Sequence, residues 1–239
     1  MHQTQPTPPF NAPAARRLRQ ALGMAPGHVA YGMYASYGLT HVTAETIDAW
    51  ERGRAAPTAT ELTALAGALW CAPAELMSAA TTLREHRLAR GLAPEDVAHR
   101  VGVDIATYAR MEETGKWRGN ERQSAALAEA LGLSARDFAT VTGLDEKLAE
   151  MLRSTVTTRW QAYARPIAKM LPLERARLDT ALERLHGDYQ GMMAGTLSWG
   201  GGSGSGDAAG REFLERILEH FWARVEPGAP GVPGARHRA

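Results

Sequence analysis

The octet Gly23-Met-Ala-Pro-Gly-His-Val-Ala30 recurs further along the 239-residue chain as Gly91-Leu-Ala-Pro-Glu-Asp-Val-Ala98. A second pair of segments follows in the same order, because Leu65-Ala-Gly-Ala-Leu69 matches Leu127-Ala-Glu-Ala-Leu131. Self-similarity at this scale indicates two copies of one structural unit, each of which packs several short elements around its own core.

The spacing between matched segments also shows where the two copies differ in length. Trp50-Glu51 in the first copy matches Met111-Glu112 in the second. Between the octet and Trp50, the first copy has seven residues more than the second copy has between its octet and Met111. Between Glu112 and the leucine-rich segment, the second copy has one residue more than the first. Both changes fall in predicted connections, where insertions cost little free energy.

Each copy has the pattern of a string of short helices. Leu18 and Leu22 lie four residues apart, as on one face of a helix, and no stretch alternates with the period of a β-strand. Proline and N-cap residues mark the predicted helix starts. These residues are Pro26, Thr43 and the capping-box pair Thr58 and Glu61 in the first copy, and Pro94 and Asp104 in the second. The sequence predicts an all-α fold.

Composition is that of an ordinary globular protein, with 44% apolar and 22% charged residues. The 27 Lys and Arg residues nearly balance 26 Asp and Glu residues, which counts mildly against nucleic-acid binding. Cys71 is the single cysteine, so the chain can form neither an internal disulfide nor a cysteine-rich zinc site. With no signal-like or membrane-spanning stretch, a cytoplasmic protein is expected.

The order of these motifs resembles that of the Cro/repressor-type helix-turn-helix family, often called the XRE family. The resemblance covers roughly residues 14 to 141 and rests on Gly-Leu-x-x-x-x-Val-Ala at the second helix, Gly102-Val-Asp-x-x-Thr107 at the third, and Trp50-Glu-Arg-Gly-Arg54 followed by Pro57-Thr58. It implies two tandem five-helix, lambda-repressor-like domains that bind duplex DNA through the third helix of each.

The resemblance also implies an ion pair in each copy between helix one and the end of helix three. The partners would be Arg19 with Glu51 in the first copy, and Arg87 with Glu112 in the second. Such a pair fixes the two helices against each other.

In the first copy the resemblance implies DNA contacts from a small and acidic set of side chains. Glu45 would accept from a cytosine amino group, and Ala44 or Ala49 would touch a thymine methyl group. The implied phosphate contacts are Thr43, Arg52, Arg54 and Thr58.

In the second copy the implied set is more basic. Arg110 would donate to guanine in bidentate fashion, and Ile105 would pack on thymine methyl groups beside Ala106. The remaining implied contacts and nearby cations are Asp104, Thr107, Arg100, Lys116, Arg118 and Arg122. The interpretation leaves open whether both copies, one copy or neither contacts DNA.

Two features depart from the family pattern. Pro26 and Pro94 replace the Gln that often begins helix two, so that contact with DNA is absent from both copies. The seven-residue insertion surrounds three tyrosines at spacing three, Tyr31, Tyr34 and Tyr37, which are either packing residues or contacts to a partner or to the DNA backbone.

Domain boundaries follow from these patterns. We expect a flexible arm at residues 1–13, helix-turn-helix domains at 14–80 and 81–142, and a helical segment at 143–194 broken by Pro166 and Pro172. A Gly/Ser linker at 195–210, an amphipathic helix at 211–226 and a disordered tail at 227–239 complete the chain. Segment 143–194 would mediate homodimerisation, sense a ligand or simply pack on the preceding domains, and helix 211–226 would dock on its own subunit or on a partner.

The function predicted from these features is that of a sequence-specific, double-stranded DNA-binding transcriptional regulator, a repressor acting as a homodimer. The alternative is a protein-binding module on a degenerate helix-turn-helix scaffold, of antitoxin or sigma-factor-binding type. No enzymatic activity, cofactor, metal or membrane contact is expected, because the eight His residues show no ligand spacing and no catalytic grouping can be proposed.

Overall fold

The computed structural model describes residues 7–198 and 204–226, and within these ranges the chain is all-α, with one isolated backbone bridge between Phe10 and Met77. The chain divides into two compact units, Met1–Trp117 and Arg118–Ala239. None of the described helices combines the length and apolarity needed to cross a bilayer. The predicted tail at 227–239 lies outside the described residues.

The first unit consists of short helices joined by tight turns. They are α1 Ala12–Ala21, α2 Pro26–Tyr37, α3 Ala44–Glu51, α4 Ala59–Ala68, a 3₁₀ turn Pro73–Leu76, α5 Leu83–Ala89, α6 Pro94–Val101 and α7 Ile105–Thr114. Val29, Met33, Ile47, Trp50 and Leu62 form the centre of a core that α1 to α4 share.

The seven-residue insertion is distributed between a helix and a turn. Helix α2 has 12 residues, whereas its counterpart α6 has 8. The connection to the next helix spans residues 38–43 in the first copy and only 102–104 in the second. Four of the extra residues therefore lengthen helix two, and three lengthen the turn.

The end of α4 differs from its counterpart in the second copy. Trp70 has a φ of 52° and is 85% exposed, whereas the equivalent position, Gly132, has a φ of 57°. Glycine adopts this left-handed conformation without cost, and a residue with a Cβ does not. The first copy thus holds a bulky, solvent-facing aromatic at a position suited to glycine.

The segment predicted as a flexible arm is tied to the first unit from Pro8 onward. Pro8 is buried, the Asn11 N–H donates to the Leu76 carbonyl at 2.8 Å, and the Ser78 N–H donates to the Pro9 carbonyl at 2.9 Å. The prediction missed this because residues 8 to 11 have no periodic pattern, and backbone pairing leaves no signal in side-chain types.

The second unit is a helical bundle. Its helices are α8 Glu121–Leu131, α9 Ala135–Val141, α10 Asp145–Thr157, α11 Trp160–Met170, α12 Arg175–Ser198, α13 Gly204–Glu215 and α14 Ile217–Val225. Leu148, Leu152, Leu182 and Phe221 are fully buried at its centre. The apolar stripe of the 143–194 segment is therefore occupied inside the unit.

Three expectations for this region need correction. Pro166 does not break the chain, because α11 continues through it while Ile167 and Ala168 stay buried. The part of the predicted linker that the structure describes is helical, since α12 runs to Ser198 and α13 begins at Gly204. The final amphipathic stretch is not one continuous helix, because it is interrupted at Arg216. Of the two alternatives left open for its apolar face, the structure has it packed on α10 and α12 of the same chain.

Candidate nucleic-acid interface

Helix α7 follows α6 after a three-residue turn, the spacing typical of helix-turn-helix motifs. Gly102 begins the turn with a φ of 74°, a conformation that favours glycine, and Asp104 ends it. The Thr107 N–H donates to Asp104 Oδ1 at 2.9 Å and caps the helix. Hydrogen bonds from Thr107 hold the pKa of the Asp104 carboxyl below its usual value.

The inner face of α7 anchors the helix. Tyr108 and Met111 are buried, and Tyr108 Oη donates to Glu112 Oε1 at 3.3 Å. Burial, reinforced by the Glu112 charge, raises the pKa of the Tyr108 hydroxyl well above its usual value. Tyr108 is therefore a neutral donor at physiological pH.

The outer face of α7 is open to solvent. Ile105 is 44% exposed, and Ala106, Ala109 and Arg110 are exposed as well. The Arg110 guanidinium makes no ion pair or hydrogen bond within the described part of the chain. The face therefore offers one unengaged cation among small and apolar side chains.

An ion pair holds each third helix against its first helix. Arg87 Nε donates to Glu112 Oε1 at 2.7 Å, and Arg87 Nη1 donates to the Leu92 carbonyl at 2.8 Å. In the first copy Arg19 Nε donates to Glu51 Oε1 at 2.6 Å. The hydrogen bond and charge of Glu51 raise the pKa of Arg19, so the guanidinium stays charged.

The corresponding face of α3 is acidic and internally paired. Asp48 Oδ1 accepts from Arg52 at 2.9 Å, and Asp48 Oδ2 accepts from Arg54 at 3.0 Å. Glu45 is exposed, and the Thr43 hydroxyl holds the pKa of its carboxyl below the usual value. Ala44 and Ala49 are half-buried beside them.

Two cap residues of the first copy are engaged by their own helices. The Thr46 N–H donates to the Thr43 hydroxyl at the start of α3. The Thr58 N–H donates to Glu61 Oε2 at 2.7 Å and the Glu61 N–H donates to the Thr58 hydroxyl at 3.3 Å, which is the capping box expected from the sequence. Both threonines are exposed, and the Thr43 hydroxyl also lies 3.3 Å from the Thr46 hydroxyl.

The remaining cations of the expected set are exposed. Arg100 lies in the last turn of α6, and Lys116 follows the end of α7. Arg118 and Arg122 belong to the second unit, and both are exposed.

Two residues outside the expected set of DNA contacts decide the character of these faces. Asp48 and its counterpart Ala109 occupy the same position of the third helix, four residues after Ala44 and Ile105 respectively. Side chains at this spacing share one helix face, which is the signal that could have identified them. The difference leaves α3 with an internal counterion and α7 without one.

Comparison with known proteins gives one family match. Residues 78–141 match the family model described as "Helix-turn-helix domain", and this range covers α5 to α9. The match supports a helix-turn-helix DNA-binding domain in the second copy. No curated protein and no solved structure shows a significant match to the chain.

Proposed function

We propose that the protein is a DNA-binding transcriptional regulator whose α7 enters the major groove of duplex DNA. The observation that carries the proposal is the exposed Arg110, whose guanidinium is unpaired among the described residues. Arg110 lies on α7, the helix that follows a turn of helix-turn-helix length. An α-helix fits the major groove, where each base pair presents its own pattern of donors, acceptors and methyl groups.

The side chains of α7 suggest the bases it prefers. Arg110 has the forked donor geometry that reads the O6 and N7 atoms of guanine. Ile105, Ala106 and Ala109 present apolar groups of the kind that contact thymine methyl groups. We therefore expect a site that combines a guanine with adjacent thymines.

Backbone contacts would come from polar residues close to this helix in the chain. Lys116, Arg118 and Arg100 supply the charge, and the Thr107 hydroxyl supplies a neutral donor. The negative charge of Asp104 would repel a phosphate, but this charge is offset because the carboxylate accepts a hydrogen bond from the Thr107 N–H at the start of its own helix. Phosphate contacts fix the register, and they do not select sequence.

The first copy is less suited to DNA. Arg52 and Arg54, the cations expected at phosphate, both share the Asp48 carboxylate, and Glu45 adds a second negative charge to the same helix. We propose that α3 contributes little to DNA affinity.

A second candidate function for the first copy is protein binding. Tyr31, Tyr34, Tyr37 and Trp70 are exposed, and Tyr and Trp are enriched where proteins contact each other. Trp70 also keeps a backbone conformation that disfavours any residue with a Cβ, and such strain persists most often at functional sites. A regulator that reads DNA with one copy and binds a partner with the other would use both features.

Repression by a homodimer is the finer form of the proposal. Two copies of α7 related by a two-fold axis would meet half-sites roughly 34 Å apart, about one turn of DNA. Because the apolar stripe of segment 143–194 is buried in its own unit, the dimer contact would use another surface.

The proposal is tested by selecting duplexes from a random library with the full-length protein and titrating an enriched site at several salt concentrations. For a protein that contacts phosphates, the logarithm of the binding constant falls linearly with the logarithm of the salt concentration. Enrichment of a motif together with such a slope supports the proposal. Absence of enrichment, with no retention on heparin, would overturn it and favour the protein-binding candidate.

A further inference from the structure

An open groove of about 480 Å³ lies within the second unit, between one face of α8 and the connection from α11 to α12. Among its lining residues Leu133, Pro172 and Leu173 are half-buried, whereas Ala128 and Leu171 are buried and expose almost none of their surface. Pockets that bind small organic molecules usually measure about 300 to 1,000 Å³ and have mainly apolar walls. The groove is therefore of a size suited to a small organic ligand, and its accessible apolar surface comes from Leu133, Pro172 and Leu173.

The rim of the groove is acidic. Glu121 and Glu129 stand on the same face of α8, two turns apart, and Glu174 comes from the opposite side. Within the described residues none of the three carboxylates makes an ion pair or side-chain hydrogen bond, and no Lys, Arg or His lines the groove. The lining therefore carries three carboxylates and no cationic side chain.

A bare metal ion does not fit this arrangement. Among the described residues no three His, Cys, Asp or Glu side chains are grouped closely enough to hold one. The apolar side chains of Leu133, Pro172 and Leu173 also offer nothing to a hydrated cation, whereas they favour a ligand with hydrocarbon or aromatic surface. The ligand that matches both these side chains and the acidic rim is an organic cation with an apolar body.

We propose that this groove binds a lipophilic organic cation, with its apolar body against Leu133, Pro172 and Leu173 and its charge facing the acidic rim. The site joins α8, which belongs to the matched helix-turn-helix range, to the C-terminal bundle. A ligand there contacts both parts at once. The binding itself does not depend on whether α7 reads DNA.

The test uses tetraphenylphosphonium as the probe and tetraphenylborate, an anion of the same shape, as its control. Isothermal titration of the full-length protein should give saturable binding of one phosphonium per chain and none of the borate. The double variant E129Q/E174Q should weaken phosphonium binding about tenfold, since each exposed charge pair contributes roughly a factor of three. The variant A125L, at an exposed helical position on the rim, should abolish binding by filling the groove.

The matched control is E146Q/E150Q, which removes two exposed carboxylates from α10, away from the groove, and should leave phosphonium affinity unchanged. Circular dichroism melting checks that each variant is folded. Absence of saturable phosphonium binding to the native protein, equal binding of the borate, or equal weakening in the control variant would each overturn the proposal. So would a dimer, seen by sedimentation, that A125L dissociates, because a second copy would then occupy the groove.

Discussion

Arg87 donates to both carboxylate oxygens of Glu112, at 2.7 Å and 3.2 Å, while their side chains are only 8% and 9% exposed. Arg19 and Glu51 repeat this arrangement at equivalent positions of the first copy. A charge removed from water to this extent is stable only with its partner in place, so each pair joins the first and third helices of its copy.

Removing one member of the pair should be more damaging than removing both. Glu112→Ala leaves the buried Arg87 guanidinium without its counterion, and we expect the free energy of unfolding to fall by about 3 to 5 kcal/mol. The double variant Arg87→Leu/Glu112→Leu should recover much of this loss, because it buries no unpaired charge. Urea denaturation followed by circular dichroism measures both. Equal destabilisation by the single and double variants would contradict this account.

Arg110→Ala should weaken binding to a selected duplex by about 1 to 3 kcal/mol, or roughly 5- to 150-fold, if its guanidinium reads guanine. The matched control is Arg54→Ala, which removes an exposed cation from the first copy that is already paired with Asp48. We expect that control to change affinity by less than about threefold. Gel-shift titration at one salt concentration measures both, and an equal loss in both variants would indicate that both copies contact DNA.

Asp48→Ala should make the first copy more attractive to phosphate, because it frees Arg52 and Arg54 from their shared carboxylate. Elution from heparin should shift to higher salt. Asp179→Ala is a matched control, since Asp179 pairs with Arg175 on the exposed surface of α12. If both variants shift elution equally, net charge alone explains the effect.

The stability of the second unit should decrease in mild acid through His220. Burial lowers its pKa, as do the charges of Arg224 and Arg216, and its ring stacks on Phe213 with centroids 4.2 Å apart. Because the unfolded chain binds this proton more readily, the free energy of unfolding decreases as the pH falls through about 6.5, the ordinary His value.

Melting temperatures at pH 7.5 and 5.5 check this prediction. His220→Phe keeps the aromatic stacking and removes the titrating group, so its melting temperature should depend less on pH than that of the native protein. An identical pH dependence in the two proteins would assign the effect to other groups.

Trp70→Gly should stabilise the first unit by about 1 kcal/mol, because it relieves the left-handed backbone of a residue that is almost wholly exposed. Thermal unfolding measures the change. Trp70→Ala is the control, since it removes the ring and keeps the Cβ. Both variants remove the ring, so both should lose the binding of a partner that contacts the aromatic surface, whereas only Trp70→Gly should gain stability. This difference separates the effect of Trp70 on binding from its effect on stability.

The helix-level organisation of the two copies follows from signals that are local in the sequence. Thr43, Thr58 and Asp104 cap their helices as expected. In each case the side-chain oxygen accepts from the N–H three residues later, and this local hydrogen bond does not depend on contacts with distant parts of the chain. The octet repeat likewise located α2 and α6. These features depend on residues close together in the chain.

Features that depend on distant residues were harder to predict. The pairing of Arg52 and Arg54 with Asp48 is an exception, because Asp48 and Arg52 stand four residues apart, a spacing that could have indicated it. Pro166 remained inside α11 because burial of Ile167 and Ala168 outweighs the missing backbone donor. The groove beside α8 combines residues that are far apart in the chain, which no short motif records.

The packing of α14 limits how the gene can be shortened. Phe221, Trp222 and Val225 are buried in the same core as Leu148 and Leu182. A product that stops before α13 would present that bare apolar surface to water, and exposed patches of this kind promote aggregation. Expression plasmids and reporter fusions should therefore keep every codon through Glu226, with any label attached beyond it.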